Sequence, residues 1–264
     1  MKKYIVIGNP INHSFSPKLH NYWFKENKID AVYEKIKIDE NDLETIFNRF
    51  KQKQINGINV TVPFKKTVIP YLDKLSLEAE LTQSVNTIIL DNDNLVGHNT
   101  DITGFIKAIK NLNFNIKGKK IFILGAGGVV PSIIFALNKM NVSKITISNR
   151  TKKKAEDLKS QFHNLEILDW GDINDFDVII NATSLGLNEE SIDLDLSKFV
   201  NNKLFYDVIY NPAETNFLKE GKKLGNKTEN GKLMFIYQAF EAFKLWHGIE
   251  PKINSDTLEI LNND

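Results

Sequence analysis

The chain has no cysteine. That excludes a disulfide framework, a thiolate zinc or iron–sulfur centre, and a cysteine nucleophile. Arginine is scarce: Arg49 and Arg150 stand alone among many lysines. No sign of charge dominates. Lysine and arginine total 34 and aspartate and glutamate 33, a formal net charge of +1. This argues against a nucleic-acid binder that draws its affinity from a basic excess. Long apolar runs are also missing. Tyr4 to Ile7, behind Met1-Lys2-Lys3, breaks at the turn Gly8-Asn9-Pro10, too short for an export signal. Nothing approaches the ~20 apolar residues of a membrane helix. No repeat or low-complexity tract is present. These absences predict a cytoplasmic chain, with no part for nucleic acid or membrane.

What is there is an alternation of strand-like and helix-like segments, the pattern of an α/β protein with parallel strands. The 264 residues suit two domains of moderate size. Tyr4 to Ile7, Val32 to Ile38, Ile58 to Val62, and a hairpin of Ser84 to Leu90 with Asn94 to Gly97 read as strands of a first unit. Ser16-Pro17 reads as a helix start, with serine at the N-cap and proline in the first helical position. Asp39 to Lys51 reads as an amphipathic helix. A second unit opens with a helix from Ile102 and runs through strands at Lys119 to Leu124, Lys144 to Ser148, Glu166 to Leu168, Val178 to Asn181 and Leu204 to Val208. A long helix over Lys232 to His247 is predicted to return to the first unit. The expected domains are therefore 1–101 with 232–264, a mixed and mostly parallel α/β domain, and 102–231, a Rossmann-type domain. A cleft between two such domains would admit a cofactor and a small substrate.

Strand, then Gly125-Ala126-Gly127-Gly128, then helix is the dinucleotide-binding arrangement. Small residues let the backbone approach a pyrophosphate, and the helix N-terminus offers free N–H groups. The next strand ends Asn149-Arg150-Thr151. An NAD site usually carries a carboxylate there for the ribose 2′-hydroxyl, whereas a 2′-phosphate calls for a guanidinium. Here the carboxylate is absent and a rare arginine is present. Lys152, Lys153 and Lys154 add positive charge at a helix start, where cations oppose the macrodipole. A bound anion would offset them, so NADP is the expected cofactor.

Polar clusters occupy the loops of the first unit. They are His13-Ser14-Phe15-Ser16-Pro17, Asn59 to Lys65, Ser84-Val85-Asn86-Thr87, and Asn99-Thr100-Asp101. Together they offer hydroxyls and amides for a polyhydroxylated ligand, and one Lys and one Asp for proton transfer. With Asn181-Ala182-Thr183-Ser184-Leu185-Gly186, Asp207 to Pro212 and Gln238-Ala239, these motifs make the chain resemble the shikimate dehydrogenase family end to end. Val130, Pro131 and Leu187 depart from the family's usual residues.

The resemblance implies reversible NADPH-dependent reduction of 3-dehydroshikimate to shikimate. It assigns Ser14 and Ser16 to the substrate carboxylate, Thr61, Asn86, Asp101 and Gln238 to the ring hydroxyls, and Lys65 to acid/base catalysis beside Asp101. Tyr210 lies near substrate and nicotinamide in this assignment. Gly125 to Gly128 with Val129, then Asn149, Arg150, Thr151 and Lys154, hold the phosphates. Thr183, Ser184, Leu185, Val208 and Gly231 face the nicotinamide. The five histidines, His13, His20, His98, His163 and His247, show no metal-binding spacing, and no metal is expected. Two alternatives stand beside this reading: a quinate/shikimate dehydrogenase using NAD or NADP, and a non-catalytic ligand-binding protein on the same fold. Lys65 and Asp101 argue against the second. The chain is expected to be a monomer or homodimer.

Overall fold

Two sets of strands build two separate sheets in this computed structural model, which describes residues 1–188 and 190–261. Residues 262–264, the end of the first expected domain, lie outside the described residues. The chain divides into two compact units, Met1–Gly104 with Ile236–Asp264, and Phe105–Phe235.

The first unit runs β1 (Lys2–Gly8), α1 (Ser16–Glu26), β2 (Ala31–Lys37), α2 (Leu43–Lys51), β3 (Gly57–Val60), β4 (Lys74–Leu75), α3 (Leu77–Thr82), β5 (Thr87–Asp91) and β6 (Asn94–His98). Helix α4 (Asp101–Asn111) carries the chain into the second unit. The sheet order is β2-β1-β3-β5-β6-β4. Strands β2, β1 and β3 are parallel, β5 is antiparallel to both its neighbours, and β4 pairs parallel with β6. The β5–β6 hairpin closes through Asn92 and Asp93, both at positive φ, a turn that Asn and Asp tolerate.

Side chains alternate across β1, and each face has its own core. Ile5 and Ile7 join Leu43, Ile46, Phe47 and Phe50 of α2. Tyr4 packs instead against Phe24 and Trp246. Two sequence expectations need correction here. Ser16 is the first residue of α1 and not its N-cap. Phe15 holds that position, and Ser14 Oγ accepts the Ser16 N–H at 3.3 Å. The segment Asp39 to Lys51 is a short 3₁₀ turn, Glu40–Asp42, followed by α2, because Asp39 and Asp42 cap each other's backbone.

The second unit continues with β7 (Lys120–Leu124), α5 (Val130–Lys139), β8 (Lys144–Ser148), α6 (Lys152–Gln161), β9 (Leu165–Ile167), β10 (Val178–Asn181), β11 (Leu204–Asp207), α7 (Asn216–Lys223) and β12 (Lys227–Glu229). All its pairs are parallel, in the order β12-β11-β10-β7-β8-β9. This is a doubly wound parallel sheet of the Rossmann type, and the strand order reverses between β7 and β10, where such sheets bind ligands. Helix α8 (Lys232–His247) leads back to the first unit, and α9 (Ser255–Glu259) follows. Trp246 of α8 donates to the Ile88 carbonyl at 3.1 Å, and its indole lies where any side chain on Gly57 would have to go.

Candidate active site

The first unit gathers its polar residues at the ends of β3, β5 and β6. Lys65, in the turn after β3, places Nζ 2.5 Å from Asp101 Oδ2. Both side chains are mostly buried, at 12% and 9% exposure, so water screens the pair weakly. Asp101 is the first residue of α4, where the helix N-terminus favours a carboxylate. Its other oxygen, Oδ1, accepts from Asn86 Nδ2 at 2.9 Å. Asn86 is itself fixed, since its Oδ1 accepts from the Thr100 N–H at 2.8 Å. Gln238 of α8 joins through Oε1, 3.4 Å from Asn86 Nδ2.

Thr61 sits between β3 and Lys65, packed on Gly8, and its hydroxyl has no hydrogen-bond partner among the described residues. A methyl group on Gly8 would fall 2.4 Å from Thr61 Cγ2, so glycine is required for this approach. Ser14 and Ser16 are adjoining in space at the start of α1. Thus Lys65, Asp101, Asn86 and Gln238 form one bonded group. Asn59, Thr87 and Thr100, which stand in the polar clusters of the sequence but carry no role in the resemblance, bond to Asn86 in this array. Asn59 Nδ2 donates to the Asn86 carbonyl at 3.0 Å and to Thr87 Oγ1 at 2.9 Å. All three are buried, and each polar side chain is hydrogen-bonded within the array.

The second unit presents a different chemistry. Gly125 has φ of +104°, and a Cβ there would lie 2.8 Å from the Ala182 carbonyl oxygen. Ala126 N–H donates to Asn149 Oδ1 at 3.1 Å, and Asn149 Nδ2 donates to the Thr151 carbonyl at 2.8 Å. This ties the turn after β7 to the turn after β8. Gly127 and Gly128 are exposed, and among the described residues the N–H groups of Gly127, Gly128 and Val129 have no acceptor. Free N–H groups before a helix suit a phosphate. Val130 is wholly buried, and Pro131 is the second residue of α5, where a missing N–H costs no helical bond.

The cations after β8 differ in their engagements. Lys152 pairs with Asp169 at 2.7 Å and Lys153 with Asp157 at 3.1 Å. Arg150 and Lys154 are exposed and have no ion pair among the described residues. No carboxylate follows β8 at the position that would meet a ribose 2′-hydroxyl. The donor set therefore fits a dinucleotide with a 2′-phosphate.

The loop after β10 is rigidly bonded. Asn181 Oδ1 accepts from the Thr183 N–H at 3.1 Å and its hydroxyl at 2.7 Å, while Leu185 N–H donates to Thr183 Oγ1 at 3.0 Å. Asn181 Nδ2 reaches Asp207, whose Oδ2 also accepts from the Thr215 hydroxyl at 2.6 Å. Burial pushes the Asp207 carboxyl up to about 6, despite these hydrogen bonds, which pull it down. Ser184 lies in this loop. Gly231 approaches Val208 so closely that a Cβ would lie 2.1 Å from its carbonyl oxygen. Tyr210 belongs to this unit and stacks on Phe235 at 4.6 Å.

Among the described residues, no cluster of three or more His, Cys, Asp or Glu could hold a metal ion. No helix among them is long and apolar enough to cross a membrane.

Comparison with known proteins places these features in context. Residues 6–88 match a shikimate dehydrogenase substrate-binding domain, 107–192 a shikimate / quinate 5-dehydrogenase domain, and 233–254 a shikimate 5'-dehydrogenase C-terminal domain. A shikimate dehydrogenase (NADP(+)) of Pelagibacter ubique (strain HTCC1062) is 54% identical over 262 residues, 99% of each chain. The crystal structure of shikimate dehydrogenase from Aquifex aeolicus superposes with a TM-score of 0.91 at 37% identity, covering 100% of this chain and 98% of that one. Shikimate 5-dehydrogenase from Thermus thermophilus, in complex with NADP(H) and shikimate, gives 0.88 at 30% identity over 99% of both chains.

Proposed function

The chain belongs to the shikimate dehydrogenase family, and on that premise we propose that it catalyses the reversible NADPH-dependent reduction of 3-dehydroshikimate to shikimate. It is an oxidoreductase acting on a CH–OH group. Bound NADPH supplies the hydride for the substrate carbonyl carbon. The remaining chemistry is the chain's own. As negative charge develops on the carbonyl oxygen, the Lys65 ammonium stabilises it and donates the proton. Asp101 holds Nζ in place and accepts a hydrogen bond from a ring hydroxyl. Asn86, Thr61 and Gln238 fix the remaining hydroxyls, and Ser14 and Ser16 bind the carboxylate. Arg150 and Lys154 take the 2′-phosphate, while Gly125 to Val129 cradle the pyrophosphate. Thr183, Ser184, Leu185, Val208, Tyr210 and Gly231 serve the nicotinamide end.

In this reading the first unit is the substrate and catalytic domain and the second the NADP-binding domain. The enzyme works in the cytoplasm as a monomer or homodimer, without nucleic acid. The observation that carries the proposal is the 2.5 Å Lys65–Asp101 pair, braced by Asn86. The test is kcat/KM for the four pairings of NADP or NAD with shikimate or quinate, read from reduced-cofactor absorbance. Highest activity with NADP and shikimate is expected. A preference for NAD or quinate overturns that part of the reading, and no turnover overturns all of it.

A further inference from the structure

Asp207 ends β11 with a wholly buried side chain, and three segments of the second unit meet on its carboxylate. From the end of β10, Asn181 Nδ2 lies 3.1 Å from each of its oxygens. From the exit of its own strand, the Ile209 N–H donates to Oδ1 at 3.0 Å. From the start of α7, the Thr215 hydroxyl donates to Oδ2 at 2.6 Å, and Thr215 is also the N-cap of that helix. Among the described residues no cation pairs with this carboxylate, so neutral donors alone carry a buried charge. A charge buried without a counter-ion is costly, and the hydrogen-bond and proton-transfer roles already assigned do not use it.

Its strongest effect is on Asn181. Burial raises the Asp207 carboxyl to about 6, so at neutral pH it is ionised and can only accept. The Asn181 amide must therefore present Nδ2 to it, which leaves Oδ1 facing the other way. There Oδ1 accepts from the Thr183 N–H at 3.1 Å and from its hydroxyl at 2.7 Å, while Nδ2 also reaches the Leu185 carbonyl at 3.1 Å. The loop that follows β10 is thus folded around an amide whose orientation a charge enforces. The same loop rests on a second partner of Asp207: a Cβ on Gly186 would lie 3.1 Å from Thr215 Cβ.

The other side of Asp207 is Val208 and Ile209. The Val208 N–H donates to the Asn181 carbonyl at 3.0 Å, and the Gly231 N–H donates to the Ile209 carbonyl at 3.0 Å. One buried carboxylate therefore joins the segment of Thr183, Ser184 and Leu185 to that of Val208, Tyr210 and Gly231. We propose that Asp207 is a positioning residue for hydride transfer, holding these two segments at the separation that seats the nicotinamide ring. The proposal rests on the assignment of both segments to the nicotinamide. Hydride transfer is sensitive to small misplacement of the donor, so the effect should fall on turnover.

The experiment compares Asp207→Asn with wild type in kcat, in KM for shikimate, and in Kd for adenosine 2′,5′-bisphosphate, a probe that has the 2′-phosphate but no nicotinamide. Asp207→Asn turns an amide N–H toward Asn181 Nδ2 and is expected to lower kcat about tenfold or more. KM for shikimate and Kd for the bisphosphate should each stay within about twofold. A kcat within about twofold of wild type overturns the proposal. So does a bisphosphate Kd that worsens by the same factor as kcat, since that marks general damage to the domain. Wild-type protein without turnover of NADP and shikimate sinks the functional reading and this proposal with it. A fully active wild type beside an unimpaired Asp207→Asn sinks the proposal alone. If Asp207→Asn does not fold, Thr215→Val and Thr215→Ser carry the test. The valine removes a donor to Oδ2 and should lower kcat about threefold or more, whereas the serine keeps the hydroxyl and should stay within about twofold of wild type. Equal kcat in those two variants overturns the proposal as well.

Discussion

Lys65 and Asp101 lie 36 positions apart in the chain and 2.5 Å apart in the fold, and Asn86 grips the free oxygen of the same carboxylate. The ammonium is therefore aimed by a carboxylate that is itself immobilised. Pre-set alignment of this kind spares reorganisation at the moment of reaction.

Lys65→Ala should lower kcat by about two to four orders of magnitude, the usual worth of a placed acid/base. KM for shikimate should change by less than about tenfold, because several hydroxyls and amides hold the ligand. Steady-state kinetics in both directions check this, and near-normal kcat would remove Lys65 from the acid/base role.

Arg150→Ala should raise KM for NADP about tenfold or more, the scale of a lost charge-assisted hydrogen bond to phosphate. Activity with NAD should be unaffected. Lys152→Ala should change neither value by more than about twofold, because Lys152 already holds Asp169 at 2.7 Å. Equal effects from the two substitutions would contradict the separation between free and paired cations.

Gly231→Ala places a methyl 2.1 Å from the Val208 carbonyl oxygen, and backbone cannot yield cheaply. A stability loss of about 1–3 kcal/mol, typical of overpacking, is expected from urea unfolding. An unchanged unfolding midpoint would show that the approach of Gly231 to Val208 relaxes without cost.

Stability should fall with acid above pH 4. Burial pushes the His20 imidazole down to about 3 from an ordinary 6.5. Below 6.5 the unfolded chain takes up a proton that the folded one refuses, so stability is lost from 6.5 down toward 3. His247, pushed down to about 4 by burial, acts in the same direction. Asp207 opposes them: its carboxyl, raised to about 6, binds a proton in the fold first as pH falls from 6 to 3.8. The net is a loss of order 1 kcal/mol per pH unit over that window. Urea midpoints at about pH 7.5 and about pH 5 measure it, and an equal or higher midpoint in acid would contradict it. By proton NMR, His20 should show no titration above about pH 5.

Most of the second sheet was legible because its central strands are short and apolar on both faces, as parallel strands buried under helices must be. The edge strand β12, Lys-Thr-Glu, is polar and partly exposed and was not read, nor was α7. Val178–Asn181 and Lys144–Ser148 fall where their residues place them. Strand β4 has two residues and no pattern to read, and α3 exposes Leu77 and Leu81, so neither shows the periodicity that marks a core-facing element. In the site, loop position and residue type exposed Lys65, Asp101 and Asn86 as candidates. Tyr33, whose hydroxyl donates to Asn59 Oδ1 at 2.6 Å, gave no such sign. In the strand Ala31–Lys37 it reads as an ordinary core aromatic, and its partner Asn59 is 26 positions away. Likewise the four cations from Arg150 to Lys154 look alike in sequence. Only the reach of Asp157 and Asp169 separates the paired from the free.

Asn149 constrains how this enzyme's cofactor choice could change over evolution or by design. The direct route to NAD use is a carboxylate after β8, one substitution away as Asn149→Asp. That exchange keeps the acceptor for Ala126 N–H but deletes the donor to the Thr151 carbonyl, setting two oxygens 2.8 Å apart. A switch toward NAD by this path would loosen the phosphate-binding turn in the same step, so a second change that relieves the Thr151 carbonyl should accompany any successful conversion.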